Sequence, residues 1–307
     1  MTTQRMNTEL TGGDYAALDT WSLAESLQAL VSSQKRAAAC VEAALPALEQ
    51  AATGIERCLA AGGRLIYIGA GTSGRLALQD AAELVPTFSF NNTVVLMAGG
   101  TAASERPIEY AEDNQDQARA EVDALKLSKQ DAVIAIAASG RTPYTLAGLQ
   151  AAKAASAFTV GLASNAGTPI LDAADVGVFL DSGPEVLAGS TRLAAGTAQK
   201  IALNMLSTAV LVRLGGAFGN VMVGMRPTNT KLEQRAVRIV QEAAASEGLD
   251  LSTERAEASL KAANWHIREA IVMALTALDY AAAQQLLHNH HQRVRDTLTT
   301  FRQSVDD

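Results

Sequence analysis

From residue 65 onward, short runs of consecutive apolar residues alternate with longer amphipathic stretches. Leu65–Ile68, Thr93–Met97, Ala132–Ala137, Phe158–Ala163 and Asp175–Leu180 are predicted strands. Helices are expected between them: from about Ser73 to a break near Val85-Pro86, from about Ser104 to Leu125, and from Pro143 to about Ser156. Strands alternating with helices imply an α/β protein with a doubly wound, parallel, five-stranded sheet. Ahead of the sheet, Ser22-Leu-Ala-Glu25 has the capping-box pattern and predicts a helix to about Ser33. A second helix from Gln34 to Ala60 would be kinked or divided by Pro46. Residues 1–20 read as an irregular arm. Beyond the sheet come a long apolar helix over 195–214, an extended piece at Phe218–Val223, and a helix capped by Asn229. From Leu251 on, short amphipathic helices form a bundle, with Asn264-Trp265 and Asp279-Tyr280 at turns. The expected divisions are 1–61 for the arm and first helices, 62–245 for the sheet domain, and 246–307 for the C-terminal helical bundle.

Composition narrows the function. The 307 residues are 48% hydrophobic and only 4% aromatic, which suits alanine-rich helices packed closely on a sheet. Lys plus Arg number 25 against 32 Asp plus Glu, a net charge of −7, with no basic stripe; this argues against nucleic acid as a partner. No run of about 18 apolar residues occurs, so no membrane span is expected. The polar start Met1–Leu10 lacks a signal-peptide core. Cys40 and Cys58, the only cysteines, have no metal-ligand spacing and fit buried thiols in a reducing, cytoplasmic setting.

The chemistry concentrates after the first strand. Gly69-Ala-Gly-Thr-Ser-Gly74 leads from strand to helix; its glycines permit a tight turn and close backbone approach, and Gly71, Thr72 and Ser73 sit where a helix N-terminus attracts an anion. The pattern matches a dinucleotide fingerprint, but the acid expected about 20 residues on is missing, since that region reads Phe88-Ser-Phe-Asn-Asn92. The turn is echoed after the third strand in Ser139-Gly140-Arg141-Thr142, with Thr142 as N-cap and Pro143 at the first helical position. In a parallel sheet both turns lie at the carboxyl edge, where two such loops can grip one ligand. Ser190 and Thr191 offer a third hydroxyl-bearing helix start. All four histidines (266, 288, 290 and 291) fall in the C-terminal region, so acid–base chemistry in the α/β part falls to carboxylates, or to lysine or tyrosine. Glu83 and Glu112 stand out. By position alone Asp80 is equally eligible, and each reads more readily as a solvated surface charge.

Taken in order, the segments Leu65–Leu76, Asp80-Ala-Ala-Glu83, Pro86-Thr-Phe88, Ala98-Gly-Gly100, Ala111-Glu-Asp113, Ile136–Tyr144, Gly196–Thr208, Gly219-Asn220 and Thr228-Asn229 resemble the N-acetylmuramic acid 6-phosphate etherases, a family of the sugar isomerase (SIS) fold. The resemblance implies a SIS-type domain over 62–245. It also implies a lyase with no metal or organic cofactor, which converts N-acetylmuramic acid 6-phosphate to N-acetylglucosamine 6-phosphate and D-lactate by elimination and hydration. Its two acidic residues map onto Glu83, as the acid that protonates the departing lactate oxygen, and Glu112, as the second acid/base; the opposite division is equally compatible. Gly71, Thr72, Ser73, Ser139, Gly140, Arg141 and Thr142, with Ser190 and Thr191, would bind sugar and phosphate. A homodimer is implied as well. The chain departs from the family's usual residues at Ala82, Ala194 and Gly224. Two alternatives share the fold: a non-catalytic sugar-phosphate-binding regulator, and an aldose–ketose isomerase.

Overall fold

The computed structural model describes residues 6–306; Met1–Arg5, at the head of the expected arm, lie outside the described residues, as does Asp307. The chain divides into two compact units. The first holds the residues through Ala82 with Asn92–Ser207, and the second holds Glu83–Asn91 with Thr208 to the end.

The first unit opens with three short 3-10 turns, Asn7–Glu9, Gly13–Tyr15 and Leu18–Thr20. This arm is irregular yet anchored. Thr8 is fully buried, and Asn165 both accepts from its backbone N–H (3.4 Å) and donates to its hydroxyl (3.0 Å). Helix α1 (Leu23–Ala43) begins at the expected capping box, with Glu25 N–H donating to Ser22 Oγ at 3.2 Å and Ser22 N–H to Glu25 Oε2 at 2.8 Å. It continues ten residues beyond the expected end at Ser33. That serine does not stop the helix because its hydroxyl donates back to Leu30 O at 2.8 Å. The division falls at Ala44, and Pro46 lies in the first turn of α2 (Leu45–Ala60), where its missing N–H has no consequence.

The sheet comprises β1 (Leu65–Gly69), β2 (Thr93–Met97), β3 (Ala132–Ile136), β4 (Phe158–Ala163) and β5 (Val176–Phe179), all parallel, in the order β2-β1-β3-β4-β5. Residues 65–69 of β1 are buried throughout, and successive side chains face opposite ways. Ile66 and Ile68 join Val133, Tyr144, Ala147 and Val122 in one core cluster. Tyr67, facing the other way, donates to Asp80 at 2.8 Å.

The connecting helices are α3 (Gly71–Phe88), α4 (Gln115–Leu125), α5 (Pro143–Ala154), α6 (Pro169–Ala173) and α7 (Ala194–Leu211). Three differ from expectation. Helix α3 is not broken near Pro86 but takes that proline into its last turn. The charged stretch 104–125 is not one helix: it holds 3-10 turns at Thr101–Ser104 and Ala111–Asp113, and α4 starts only where Asn114 caps Gln117 N–H at 3.0 Å. Pro107 and the left-handed Tyr110 (φ 58°) account for the interruption. The short α6 was not expected at all.

In the second unit, Val212–Gly216 forms an irregular helical turn in which Gly215 has φ 85°, so the apolar helix ends at Leu211 rather than 214. The expected extended piece is an antiparallel hairpin, β6 (Ala217–Phe218) with β7 (Val221–Met222). A Cβ on Gly224 would lie 2.7 Å from Phe88 O, which explains why glycine stands there. Asn229 caps α8 (Thr230–Ser246) as expected, and α9 (Thr253–Ala262), α10 (Ile267–Thr276), α11 (Tyr280–Asn289) and α12 (Val294–Asp306) form the bundle around Val240, Leu260, Ile271, Leu287 and Leu298. His266 stacks on Tyr280, with Nδ1 3.0 Å from its hydroxyl. No single helix among the described residues is long and apolar enough to cross a membrane.

Candidate active site

Sheet order places β1 beside both β2 and β3, so the chain winds outward in opposite directions from β1. Such a switch point opens a crevice at the carboxyl ends of the strands. The two echoed loops leave from adjacent strands there, since Gly69 is in register with Ile136.

In the first loop Gly71 has φ 53°, a conformation that disfavours a side chain. Gly69 and Gly74 pack backbone on backbone; a Cβ on Gly69 would lie 2.9 Å from Gly74 N. The turn is therefore tight, and α3 starts at Gly71, two residues earlier than expected. Thr72 is partly exposed. Ser73 is buried, and its hydroxyl donates to Gln199 Oε1 at 2.9 Å. Helix α7 passes close to this loop at Gly196, where a Cβ would lie 3.4 Å from Thr72 Cγ2, an ordinary contact, and 3.3 Å from Thr191 O.

In the second loop Gly140 has φ 66°, and a Cβ on it would lie 2.2 Å from Thr168 Oγ1. Ser139 Oγ accepts from Arg141 N–H at 3.2 Å and pairs with Thr142 Oγ1 at 3.3 Å. Thr142 occupies the N-cap position of α5, but its side chain makes no capping bond. Its hydroxyl turns to Ser139 instead, and so the two expected binding hydroxyls form one pair.

Ser190 and Thr191 do not open α7. The helix starts at Ala194, and Glu185, 1% exposed, accepts from Ala194 N–H and Ala195 N–H at 2.9 Å each. The protein's own carboxylate thus fills that helix terminus. Ala194, one of the departures from the family pattern, is fully buried and contributes this N–H.

Glu112 lies on the 3-10 turn Ala111–Asp113 and lines a cavity of about 270 Å³ with Ala70, Gly71, Arg75, Met97 and Tyr110. The structure therefore brings this carboxylate and the first glycine loop to one cavity. Arg75, which enters the same cavity, is held by its Nε–H donating to Ser104 O at 3.2 Å. Glu83 is exposed on α3 and falls in the second unit. Asp80, the equally eligible acid, is 1% exposed and fully engaged: it accepts from Tyr67, from Asn204 Nδ2 at 2.5 Å and from Ser207 Oγ at 3.1 Å. Burial pushes the Tyr67 hydroxyl well above the usual range, and the Asp80 charge adds to this. The pair is a buried clamp between β1, α3 and α7 rather than a solvent-facing acid. Sequence reasoning missed Gln199, Glu185 and Arg75 as site residues. Arg75 was at least visible in the repeated Ser-Gly-Arg, whereas Gln199 and Glu185 are joined to the loops only by folding.

A central parallel sheet with paired Ser-Gly-Arg loops at its switch point defines a protein of the SIS class. The SIS domain description matches residues 114–209, and that of the glucokinase regulatory protein N-terminal SIS domain matches residues 47–153. An N-acetylmuramic acid 6-phosphate etherase of Deinococcus radiodurans is 45% identical over 96% of this chain and 96% of its own length. One from Vibrio vulnificus is 43% identical over 96% and 97%. The chain belongs to the N-acetylmuramic acid 6-phosphate etherase family. Among solved structures, a phosphoheptose isomerase from Francisella tularensis is 17% identical with a TM-score of 0.48, over 62% of this chain and 98% of that one.

Proposed function

We propose that the protein is a carbon–oxygen lyase that converts N-acetylmuramic acid 6-phosphate to N-acetylglucosamine 6-phosphate and D-lactate. The observation that carries this reading is the conjunction, in a chain 45% identical to a named etherase over nearly its whole length, of a glycine loop and Glu112 on one cavity. In the open-chain aldehyde form of the sugar, the carbonyl acidifies the C2 proton. A carboxylate removes that proton, the C3–oxygen bond breaks, and a second carboxylic acid protonates the departing lactate oxygen. Water then adds across the resulting C2–C3 double bond, placing hydroxyl on C3 and hydrogen on C2. The net reaction is hydrolysis of the ether, with no oxidant or reductant required. Glu83 is proposed as the acid to the lactate oxygen and Glu112 as the second acid/base. Gly71, Thr72, Ser73, Ser139, Gly140, Arg141 and Thr142 are proposed to bind sugar and phosphate, with Ser190 and Thr191 in a lesser part.

Residues 62–245 are proposed as the sugar-phosphate-binding part, flanked by 1–61 and 246–307. A cytoplasmic homodimer with a role in peptidoglycan recycling completes the reading. The exposed apolar stripe Leu23, Leu27 and Val31 on α1, spaced one helical turn apart, supports self-association. Incubation with N-acetylmuramic acid 6-phosphate and an enzymatic assay for D-lactate tests the activity. Folded protein that binds the sugar phosphate and releases no lactate would overturn it, and a ketose product would select the isomerase reading.

A further inference from the structure

Among the described residues, Gln199 is a buried side chain touching the first loop whose hydrogen bonding is left half complete. It is 1% exposed, its Oε1 accepts the Ser73 proton at 2.9 Å, and its Nε2 has no partner. An amide NH2 buried without an acceptor is costly, and native interiors rarely tolerate one unless it has a task. The direction of the existing bond matters just as much. A hydroxyl has a single proton, and here Ser73 spends it inward, on Gln199, at the loop position proposed to hold an anion. An anion in the loop needs that proton for itself.

One movement bears on both mismatches. If the amide turns end for end, Nε2 donates to Ser73 Oγ, and the hydroxyl proton is released toward the loop. Oε1 gives up its donor in the exchange, one stranded N–H gains an acceptor, and the hydroxyl gains a charged acceptor in place of a neutral one, a stronger bond that drives the change. We infer that Gln199 is a positioning residue for sugar-phosphate binding: its amide reverses the hydrogen bond to Ser73 and so aims the Ser73 hydroxyl at the ligand's phosphate. Gly196, on the same face of α7 one turn earlier, also lies against this loop. The inference rests on the sugar-phosphate reading of this loop and deepens it, because it assigns a bound-state polarity to a residue 126 positions away in sequence.

The test is a double-mutant cycle on binding, with N-acetylglucosamine 6-phosphate as probe and isothermal titration calorimetry as readout. Unphosphorylated N-acetylglucosamine serves as control. Ser73→Ala and Gln199→Leu should each weaken phosphate-dependent binding by about 10-fold, and the double variant should bind no worse than Ser73→Ala alone. Gln199→Glu nearly keeps the shape of the side chain, and as a carboxylate it can only accept; it should pin the hydroxyl inward, repel the phosphate and weaken binding by about 100-fold. Urea midpoints measured alongside separate this from a packing role, since a packing role would lower the midpoint without coupling to Ser73 in affinity. Independent losses that multiply in the double variant, or wild-type affinity in Gln199→Glu, would overturn the inference. Protein that shows the coupling yet releases no D-lactate from N-acetylmuramic acid 6-phosphate would overturn the lyase reading and leave this one standing.

Discussion

The two edges of the central sheet carry similar residues and use them in opposite ways. At the amino edge, polar groups are spent on each other. Asp131 accepts from Arg64 Nε (2.8 Å), Arg64 Nη2 (3.0 Å), the Arg64 backbone N–H (3.1 Å) and the Ser128 backbone N–H (2.8 Å). Asp175 accepts from both Thr159 groups and pairs with Lys153 at 3.3 Å. At the carboxyl edge the spending is incomplete: Asn165 and Glu185 bond within the protein, but other groups do not. Five buried side-chain atoms among the described residues lack a partner: Thr145 Oγ1, Ser164 Oγ, Thr168 Oγ1, Ser182 Oγ and Gln199 Nε2. The first four lie on segments that follow a strand's carboxyl end, and the fifth touches the loop after β1. Cavity size does not make this distinction. A larger cavity, about 780 Å³, opens at the amino edge beside Arg57, Lys129 and Lys153, but Arg57 and Lys153 occupy the last turns of α2 and α5, where cations complement helix carbonyls. Unspent hydrogen bonds, rather than volume, distinguish the edge proposed to hold the sugar phosphate.

That contrast is broken most sharply by removing the chemistry. Glu112→Gln and Glu83→Gln should each lower D-lactate release by about 10²–10⁴-fold while N-acetylglucosamine 6-phosphate still binds. Near-normal turnover in Glu112→Gln would mean that the cavity beside the glycine loop is not where the reaction happens. Next comes the amino edge. Asp131→Asn should cost about 3 kcal/mol in urea unfolding, because it leaves Arg64 without its carboxylate, with affinity per folded molecule unchanged. Burial alone would raise the Asp131 pKa, but its bonds to Arg64 and Ser128 outweigh burial and hold it below the usual carboxylate range. Its folded value is thus lower than its unfolded value. The stabilisation is complete above the unfolded value near pH 4 and is lost as pH falls through the folded one. Wild-type stability should therefore decline below about pH 4 more steeply than that of Asp131→Asn.

Gly140→Ala should act at the carboxyl edge and combine both effects. Its Cβ would meet Thr168 and adopt a left-handed backbone, costing about 1–3 kcal/mol in the same unfolding measurement, and it should also weaken sugar-phosphate binding. The smallest effect concerns the thiols. Burial pushes Cys40 up to about 11, with Asp181 adding to the shift, and burial raises Cys58 as well. Native protein at pH 8 should resist an aromatic disulfide reagent over the time in which urea-unfolded protein reacts fully.

What could be read in advance follows the range of the interactions involved. Strands β2 and β4 match the predicted bounds residue for residue, because a local apolar run ended by glycine or polar residues marks both a buried strand such as β4 and a half-buried edge strand such as β2. Both glycine-and-hydroxyl loops were legible for the same reason, since glycine and hydroxyl residues at a strand end are a local signature. The extent of α1 was not, because Ser33 is silenced by a bond to Leu30 that only a formed helix offers. The start of α7 misled in a related way. Ser190 and Thr191 have the right chemistry for a cap, yet Glu185 reaches that terminus from nine residues upstream. Gln199 looks like any residue of an apolar helix until folding sets Ser73 against it.

The anchored arm has a consequence in time. Thr8 bonds to Asn165, and its carbonyl accepts from Gly189 N–H at 2.8 Å. A ribosome adding about 5–20 residues per second needs roughly 10–40 s to travel from the first of these positions to the last. The arm, made before its docking surface, must therefore wait, unpaired, while the rest of that surface is synthesised, and it is among the last pieces of the first unit to reach its place.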